Sequence, residues 1–261
     1  MRPPYLSVVV PAFNEEPRIG QTVSEVIAAF DRLAIEAELI VVDDGSTDRT
    51  ASIVEQAAAG EGRIRLVRAI HAGKGATVRR GMLEARGEWR FLADADLSMP
   101  IADLRRFLDA ARSPGGEVLV GSREAEGAQR VGEPWSRHFV GRVFNWLVKL
   151  LVLRGINDTQ CGFKLFSARA ANALFPLQRL EGFGFDVEIL FLARRAGFVV
   201  REIPVTWVYG RESKVGLASG ARGFVDILSV RWNQLRGAYP RGAAIDASAA
   251  TPSGEDTASS P

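Results

Sequence analysis

The sequence lacks most of the features that mark secreted or membrane-spanning proteins. Its single cysteine, Cys161, excludes a disulfide within the chain and is compatible with a reducing compartment. The first apolar run, Leu6 to Val10, is too short for a secretory signal and ends at Pro11. No run reaches the length of a membrane span. We therefore expect a cytoplasmic protein whose contact with a membrane, where it has one, is peripheral.

Two common phosphate-binding loops are also missing. Residues 11–16, which follow the first apolar run, hold no Gly-x-Gly-x-x-Gly fingerprint, and no Gly-x-x-x-x-Gly-Lys-Ser/Thr pattern occurs anywhere in the chain. A dinucleotide site of the Rossmann kind and a P-loop are therefore excluded. Any phosphate group that this protein binds must be held in another way.

The charge is modest and unevenly spread. The net charge of +2 becomes +5 for residues 1–241, because residues 242–261 hold three of the 31 acidic residues and none of the 33 basic ones. That terminal stretch is mostly Ala, Ser, Thr, Pro and Gly, which predicts a disordered tail after one folded domain spanning 1–241. A charge of +5 without a basic stripe interleaved with aromatics gives no reason to expect a nucleic-acid partner.

What is present is a regular alternation of apolar strands and amphipathic helices. The patterns predict strands at 6–10, 38–42, 64–67, 89–92 and 117–120. They also predict four helices. The first spans 19–33, and the second is capped by Ser46 or Thr47 and ends near residue 59. The third runs from Gly73-Lys74-Gly75 to 85, and the fourth from Pro100 to 111. This order predicts an α/β fold, a doubly wound, mostly parallel sheet with helices on both faces.

Acidic side chains follow three of these strands, at the edge where ligands bind in such sheets. On an extended backbone, two aspartates two residues apart face one spot, where oxygen ligands suit Mg²⁺ or Mn²⁺ holding a diphosphate. The acids after the first two strands would then contact base and ribose. For Asp43-Asp44, a turn with a helix cap is an equally good explanation, and Asn14-Glu15 taken alone is more often a plain loop. The three clusters are Asn14-Glu15, Asp43-Asp44 and Asp94-Ala95-Asp96.

Basic side chains suggest a place for a second phosphate. Arg123, Arg130 and Arg137 lie in a turn-rich stretch, and arginine binds phosphate with two parallel hydrogen bonds. For each arginine alone, a solvated loop is the default explanation. Lys74 lies between two glycines, which let the backbone approach a ligand. The alternative is that Lys74 is only a surface lysine at the start of a helix.

Two short apolar segments with flanking arginines predict amphipathic helices in a membrane interface. They are 143–153 and 224–235, the second with Phe224, Val225, Ile227, Leu228, Val230, Trp232 and Leu235. Trp and Phe would face the membrane and Arg the anionic head groups. The alternative is that both helices are buried against the sheet or in a dimer contact.

Several motifs together resemble a known family. Val9 to Glu15, Val41 to Asp48 and Asp94-Ala95-Asp96 resemble glycosyltransferase family 2, whose fold is called GT-A. Downstream, residues 73–79, 94–100, 121–123, 158–164 and 185–188 resemble the dolichyl-phosphate β-glucosyltransferase branch. The segment Asp158-Thr159-Gln160-Cys161-Gly162-Phe163-Lys164 is the most specific to that branch. The resemblance spans about Leu6 to Arg236.

The resemblance assigns roles to residues. The donor nucleotide sugar would contact Pro11, Ala12, Phe13, Glu15, Asp43, Asp44, Lys74, Asp94, Arg211 and Lys214. The divalent metal would be held by Asp94, Asp96 and Ser98, where Ser98 replaces a Gln of many relatives and would act through water or not at all. The acceptor phosphate would bind Arg123, Ser136 and Arg137. The catalytic set would be Asp96, Arg123, Arg137, Asp158 and Glu188, although a salt bridge explains Glu188, and a turn cap Asp158, as well.

The implied reaction is the inverting, metal-dependent transfer of glucose from UDP-glucose to a polyprenyl or dolichyl phosphate. The product is a β-linked lipid-phosphate sugar, made at the inner, cytoplasmic face of the cell membrane by direct contact or through a membrane-protein partner. Alternatives are a GDP-mannose-dependent polyprenyl-phosphate mannosyltransferase and a sugar-nucleotide-binding protein without turnover. A sugar-1-phosphate nucleotidyltransferase should carry a Gly-rich basic loop after the first strand, and residues 11–16 do not.

Overall fold

The computed structural model describes residues 3–132, 148, 152–153, 155–209 and 217–240. Several predictions fall outside these residues and are carried forward as predictions. They concern Ser136, Arg137, Arg211, Lys214, most of 143–153, the tail 242–261, and the side chains of Phe224 and Ile227.

A seven-stranded sheet forms the centre of the molecule, in the order β3-β2-β1-β4-β7-β5-β8. β7 is antiparallel to both of its neighbours, and every other neighbouring pair is parallel. A short parallel pair, β6 with β9, lies apart from it. The strands are β1 (Leu6–Ala12), β2 (Ala37–Asp43), β3 (Ile64–Arg68), β4 (Trp89–Leu92), β5 (Val118–Ser122), β6 (Gln129–Val131), β7 (Lys164–Ser167), β8 (Val200–Pro204) and β9 (Thr206–Val208).

Helices cover both faces of the large sheet, as predicted. The helices are α1 (Ile19–Leu33), α2 (Thr50–Gly60), α3 (Lys74–Glu84), α4 (Leu104–Ala111), α5 (Ala168–Leu174), α6 (Phe185–Arg195) and α7 (Leu217–Leu235), with 3-10 turns at Ile101–Asp103 and Phe175–Leu177. The first core cluster takes residues from α1, α2 and α4, and the second from α3, α5, α6 and α7. The fold is therefore the doubly wound, mostly parallel α/β arrangement that the sequence predicts.

Burial explains why the strand segments are apolar throughout. Val8 and Val10 belong to the first core cluster and Val9 to the second, so β1 is covered on both faces. Each such side chain contributes about 1.5–3 kcal/mol by leaving water. The same argument applies to β2, which is buried along its whole length.

The predicted cap of α2 is wrong. Helix α2 begins at Thr50, so neither Ser46 nor Thr47 caps it. Asp48 accepts a hydrogen bond from the Thr50 backbone N–H at 2.9 Å instead. The polar side chains at 46 and 47 bind another loop, and a tertiary contact of that kind cannot be read from local spacing.

The membrane-interface prediction for residues 224–235 needs one correction. Val230 is fully buried, because it faces the core beside α6. None of the helices in the described part of the chain is both long and apolar enough to span a bilayer.

Candidate active site

The loops after β1 and β2 are tied together by hydrogen bonds between their motif residues. The Asn14 backbone N–H donates to Ser46 Oγ, and the Thr47 N–H donates to Asn14 Oδ1, both at 2.9 Å. The Glu15 N–H donates to Thr50 Oγ1 at 2.8 Å. Asn14 has a φ of 52°, a left-handed conformation that asparagine tolerates well. These contacts hold one rim of the sheet's carboxyl edge in a single shape.

Asp43 and Asp44 are buried, and both accept backbone hydrogen bonds. Asp43 accepts from the Ser46 N–H at 3.2 Å, and Asp44 accepts from the Ala72 and Gly73 N–H groups at 3.0 and 3.1 Å. The Asp44 N–H in turn donates to the Ala12 carbonyl, which ends β1 next to Pro11. These bonds agree with the turn explanation. They also lock the segment that leads into α3, and nucleotide contact by either acid stays a prediction.

A stacked pair of rings lies at this edge. Phe13 and His71 have ring centroids 4.3 Å apart at an interplanar angle of 22°, and Phe13 is 37% exposed. His71 Nδ1 lies 2.9 Å from Asp44 Oδ2. The pair presents a flat surface on which a planar base can stack. Sequence reasoning missed His71, although the chain has only two histidines and this one follows β3 directly.

The Asp94-Ala95-Asp96 segment does not have the predicted strand geometry. β4 ends at Leu92, so the rule that alternate residues face one spot does not apply. Asp94 is half-buried and Asp96 exposed, and Asp96 accepts a hydrogen bond from the Ser98 N–H at 2.9 Å. Gly162 packs so closely on the Asp94 carboxylate that a Cβ at that position would collide with it. The two carboxylates are placed by a turn and by the 158–162 segment.

The donor chemistry of Asp94 and Asp96 fits a divalent cation. In the described residues, no group of three His, Cys, Asp or Glu side chains is placed to hold a metal ion. Mg²⁺ is commonly held by one or two carboxylates together with substrate phosphates and water. Two oxygen donors at an open edge therefore suit an ion that arrives with a diphosphate, and Ser98 is not required as a third ligand.

Lys74 reaches this site from the first residue of α3. Its Nζ lies 2.6 Å from Asp94 Oδ1. Burial by itself lowers the pKa of Lys74, but the charges of Asp94 and Asp186 outweigh it and raise that pKa. Burial likewise opposes ionisation of Asp94, but the charge and hydrogen bond of Lys74, together with the charges of Lys164 and Arg123, hold the pKa of Asp94 below its usual value. Both groups are therefore charged at neutral pH.

A second, fully buried pair lies next to Lys74. Lys164 Nζ is 2.6 Å from Asp186 Oδ1 and donates to the Cys161 carbonyl at 2.5 Å. The charge of Asp186 acts on Lys74, and the charge of Lys164 acts on Asp94. Sequence reasoning did not assign either residue to the site, although a lysine that opens an apolar strand was a usable signal.

Arg123 and Asp158 form a two-pronged ion pair. Arg123 Nε and Nη2 lie 2.7 and 2.9 Å from the two Asp158 oxygens, and the guanidinium lies 5.4 Å from the centroid of Trp207. Asp158 is fully buried, and burial by itself raises its pKa; the charge of Arg123 and the hydrogen bonds from Arg123 together outweigh burial and lower that pKa. Arg130 Nε donates to the Arg123 carbonyl at 3.2 Å. Asp158 thus orients Arg123.

Glu188 holds a turn in place. It is fully buried and accepts hydrogen bonds from the Arg179 and Leu180 N–H groups at 3.0 and 2.8 Å and from the Tyr239 hydroxyl at 2.5 Å. Burial raises its pKa despite these hydrogen bonds. The contacts fit a structural role, and a role in orienting substrate stays a prediction.

Two buried polar atoms of the 158–162 segment lack a partner. Thr159 Oγ1 and Gln160 Nε2 are inaccessible to solvent, and neither has a hydrogen-bond partner among the residues that the structure describes. An unpaired buried polar atom costs about 1–3 kcal/mol. The segment joins Asp158, which orients Arg123, to Gly162, which supports Asp94. The two atoms are therefore candidates for binding a substrate, and their place in the most specific motif was the signal in the sequence.

The sequence is similar to glycosyltransferases. Residues 7–175 match the family model described as Glycosyl transferase family 2. A dolichyl-phosphate β-glucosyltransferase of Trichomonas vaginalis is 37% identical, with 87% of this chain and 70% of that protein aligned. Enzymes of the same name from Saccharomyces cerevisiae and Homo sapiens are each 33% identical, over 90% of this chain and 76% and 77% of theirs.

Solved structures share the fold at low sequence identity. Glucosyl-3-phosphoglycerate synthase of Mycobacterium tuberculosis with UDP superposes with a TM-score of 0.61 at 20% identity, over 87% of this chain and 80% of that one. Mannosyl-3-phosphoglycerate synthase of Rubrobacter xylanophilus gives 0.65 at 18% identity, over 89% and 74%.

Proposed function

The chain belongs to glycosyl transferase family 2, and on that premise we propose that it transfers glucose from UDP-glucose to the phosphate of a polyprenol or dolichol. The activity named for its relatives at 33–37% identity supports this substrate class. The observation that carries the proposal is a set of three ion pairs around Asp94: Lys74 with Asp94 itself, Lys164 with Asp186, and Arg123 with Asp158. Because each pair is neutral by itself, Lys74 and Arg123 would bind phosphate groups through hydrogen bonds, and a divalent cation at Asp94 and Asp96 would offset the charge of the donor diphosphate.

The donor lies along the edge from β1 to β4 in this proposal. Its base stacks on Phe13 and His71, with Pro11, Ala12, Glu15, Asp43 and Asp44 around it. Its diphosphate lies at Asp94, Asp96 and Lys74, with Arg211 and Lys214 predicted to approach it. A bound Mg²⁺ or Mn²⁺ supplies positive charge to the departing diphosphate.

The sugar lies between the two phosphate sites. Thr159 Oγ1 and Gln160 Nε2 bind its hydroxyls once the 158–162 segment shifts to admit the sugar, because both are buried polar atoms without a hydrogen-bond partner in the described part of the chain. Lys74 stays charged beside Asp94 and stabilises the leaving group.

The acceptor phosphate binds Arg123, together with the predicted Ser136 and Arg137. Asp158 holds the Arg123 guanidinium in one orientation, so the acceptor oxygen is positioned with little loss of entropy. A phosphate monoester has a second pKa of about 6, so its oxygen is already an anion and needs no strong base. Attack from the side opposite the α-linked leaving group inverts the anomeric carbon and gives a β-linked product.

Membrane contact through α7 brings the enzyme to its lipid acceptor. Four large apolar side chains spaced three and four residues apart form one exposed face of this helix, opposite the buried Val230. We place this contact at the cytoplasmic side of the membrane. The exposed face, called the apolar stripe below, consists of Val225, Leu228, Trp232 and Leu235.

A transfer assay tests the proposal. Purified protein receives labelled UDP-glucose, GDP-mannose or UDP-N-acetylglucosamine with polyprenyl phosphate and Mg²⁺ or Mn²⁺, and label that enters the organic phase is counted. We expect label from UDP-glucose alone, and its loss in the Asp96→Asn variant. Label from GDP-mannose would change the donor and keep the acceptor. Donor binding that depends on metal, without organic-phase label from any donor, would overturn the lipid acceptor.

A further inference from the structure

A cavity with a basic lining lies on the flank of α3, outside the proposed active site. Its volume is about 300 Å³. Val78 and Met82 of α3 face the core, so the cavity residues of that helix occupy a different side. One wall is α3 and the other is the turn at 178–181. The lining residues are Ala76, Arg79, Arg80, Leu83, Gln178, Arg179, Leu180 and Glu181.

Three guanidinium groups line this cavity against one carboxylate. Arg79 makes no ion pair or hydrogen bond with any residue that the structure describes. Arg80 pairs with Glu84 at 3.0 Å, and Arg179 donates to the Ala238 carbonyl at 3.1 Å. Glu181 is the one acidic lining residue. Because Glu84 offsets Arg80 and Glu181 offsets one of the other two arginines, the lining has an excess of one positive charge, and its guanidinium groups favour an anion that accepts several hydrogen bonds.

The cavity also has apolar walls. Leu83 is 43% exposed, and Ala76 and Leu180 line the cavity beside it. A site with guanidinium groups and apolar walls suits a phosphate ester with carbon on one side better than it suits free phosphate.

The cavity is connected to the apolar stripe of α7. Arg179 binds the carbonyl of Ala238, which lies three residues after the end of that helix. The stripe residues Val225, Leu228, Trp232 and Leu235 are 60%, 60%, 54% and 75% exposed. Arg236 stacks over Trp232 at 4.3 Å, and Arg231 is exposed on the same helix. Exposed Trp and Leu with flanking arginines are typical of helices that lie in the interface of an anionic bilayer.

We propose that the cavity between α3 and the 178–181 turn binds the phosphate headgroup of an anionic membrane phospholipid while the apolar stripe of α7 lies in the bilayer interface. This lipid is not the acceptor, because the cavity shares no residue with the proposed Arg123 site. The inference rests on the membrane contact of the proposed function. It adds a second lipid site, which selects membranes with a negative surface.

Vesicle flotation tests the site. The full-length protein is mixed with phosphatidylcholine vesicles, with or without phosphatidylglycerol, in the absence of donor and acceptor. We expect binding only when phosphatidylglycerol is present. The Arg79→Gln/Arg179→Gln variant should bind those vesicles about 30-fold more weakly, since each basic side chain at an anionic bilayer contributes about fivefold.

A matched variant separates the cavity from general charge attraction. Arg32 and Arg112 are exposed arginines on α1 and after α4, in the opposite helix layer. Arg32→Gln/Arg112→Gln removes the same charge and should bind nearly as well as the wild type. Equal losses in both variants, or no loss in either, would overturn the headgroup site. Glu181→Gln removes the opposing carboxylate and should strengthen binding, and unchanged or weaker binding would count against the site.

Two further arms test the lipid source and the stripe. Inorganic phosphate is added at a concentration equal to that of the lipid phosphate. If it displaces the protein from the vesicles, the ligand of the cavity is a soluble phosphate and not a lipid headgroup. Trp232→Ser/Leu235→Ser should weaken vesicle binding while leaving the melting temperature unchanged, and full binding by this variant would remove the stripe from the proposal. None of these readouts uses glucosyl transfer, so failure here and failure of the proposed function are distinguishable.

Discussion

Buried charges define the site at the scale of single residues. Asp158 and Lys164 are fully buried, and each has an oppositely charged partner within 2.7 Å. Removal of water from a charge costs several kcal/mol, so such a pair is stable only while both members are present. The network therefore makes the site rigid, and single substitutions in it are costly to stability.

The Arg123–Asp158 pair gives a first prediction. Asp158→Asn should lower the free energy of unfolding by about 3 kcal/mol, because it leaves Arg123 without its buried partner. Arg123→Gln should cost a similar amount. The double variant should lose much less than the two single losses together, as urea denaturation of the four proteins will measure. Strictly additive losses would contradict a direct pair.

The same pair predicts a pH dependence. The folded protein holds the pKa of Asp158 below its ordinary value of 3.8. Its contribution to stability is therefore fully present above about pH 4 and is lost as the pH falls through the folded pKa. Asp158→Asn should remove this part of the acid dependence, so that wild type and variant converge in stability towards low pH. A constant difference down to pH 2 would contradict the assignment.

Substitution of Thr159 is predicted to change stability and activity in opposite directions. Thr159→Val should raise the free energy of unfolding by about 1 kcal/mol, because it removes a buried hydroxyl that has no partner among the residues described by the structure. It should lower kcat/KM for UDP-glucose about tenfold, the equivalent of one hydrogen bond. The loss should vanish with the deoxy-sugar donor that lacks the hydroxyl bound by Thr159.

Thr77 supplies the control for that experiment. Its hydroxyl is buried and donates to the Gly73 carbonyl at 2.8 Å. Thr77→Val should therefore destabilise the protein. If Thr159→Val also destabilised the protein, the Thr159 hydroxyl would have a structural partner, and the proposed contact with the sugar would be contradicted.

At the scale of elements, the start of α3 is held by the 178–181 turn. The Gly75 N–H donates to the Glu181 carbonyl at 2.7 Å, and Gln178 Nε2 donates to the Gly75 carbonyl at 2.8 Å. Glu188 of α6 in turn holds Arg179 and Leu180. The position of Lys74 therefore depends on a segment about a hundred residues later in the chain.

Gly75→Ala tests this contact. A Cβ at residue 75 would lie 2.5 Å from the Leu180 carbonyl oxygen and 2.8 Å from that of Gly182. We expect a loss of about 2 kcal/mol in stability, since backbone atoms must move, and a fall in kcat/KM as Lys74 shifts. Gly60→Ala at the end of α2, where a Cβ meets nothing within 4 Å, should be neutral or mildly stabilising. Thermal melts and donor kinetics on both variants measure the contrast, and equal behaviour would contradict it.

At the scale of the whole molecule, the described contacts continue to Pro240. Tyr239 is buried and donates to Glu188, and Arg195 Nε donates to the Pro240 carbonyl at 3.0 Å. Because composition predicts a disordered tail, removal of residues 242–261 should leave the melting temperature and transfer activity unchanged. Removal of 239–261 should cost about 3 kcal/mol, comparable to the loss of a buried aromatic side chain. A large effect of the shorter deletion would contradict the prediction of a tail without structural contacts.

The sequence by itself determined the fold class and the family, and it predicted the place of the site. Strands that are buried on both faces must be apolar throughout, and ligands of such sheets bind at the carboxyl ends of the strands. The apolar runs that end before residues 14, 43 and 94 therefore predicted the edge of the sheet at which a ligand binds. The resemblance of the motifs identified the family. Helical spacing of apolar residues placed α1, because that helix buries one face against the sheet. Local signals at Gly73-Lys74-Gly75 and Pro100 placed α3 and α4.

The tertiary structure decided the partners within the site, because those contacts join residues far apart in the chain. Ser46 and Thr47 bind Asn14 instead of capping α2. β7 inserts antiparallel between β4 and β5, which brings Lys164 and Gly162 to the Asp94 edge. Local spacing records which side chains are polar, but which charge meets which depends on strand order. For that reason Lys164, Asp186, His71 and the unpaired atoms of Thr159 and Gln160 emerged only from the folded chain.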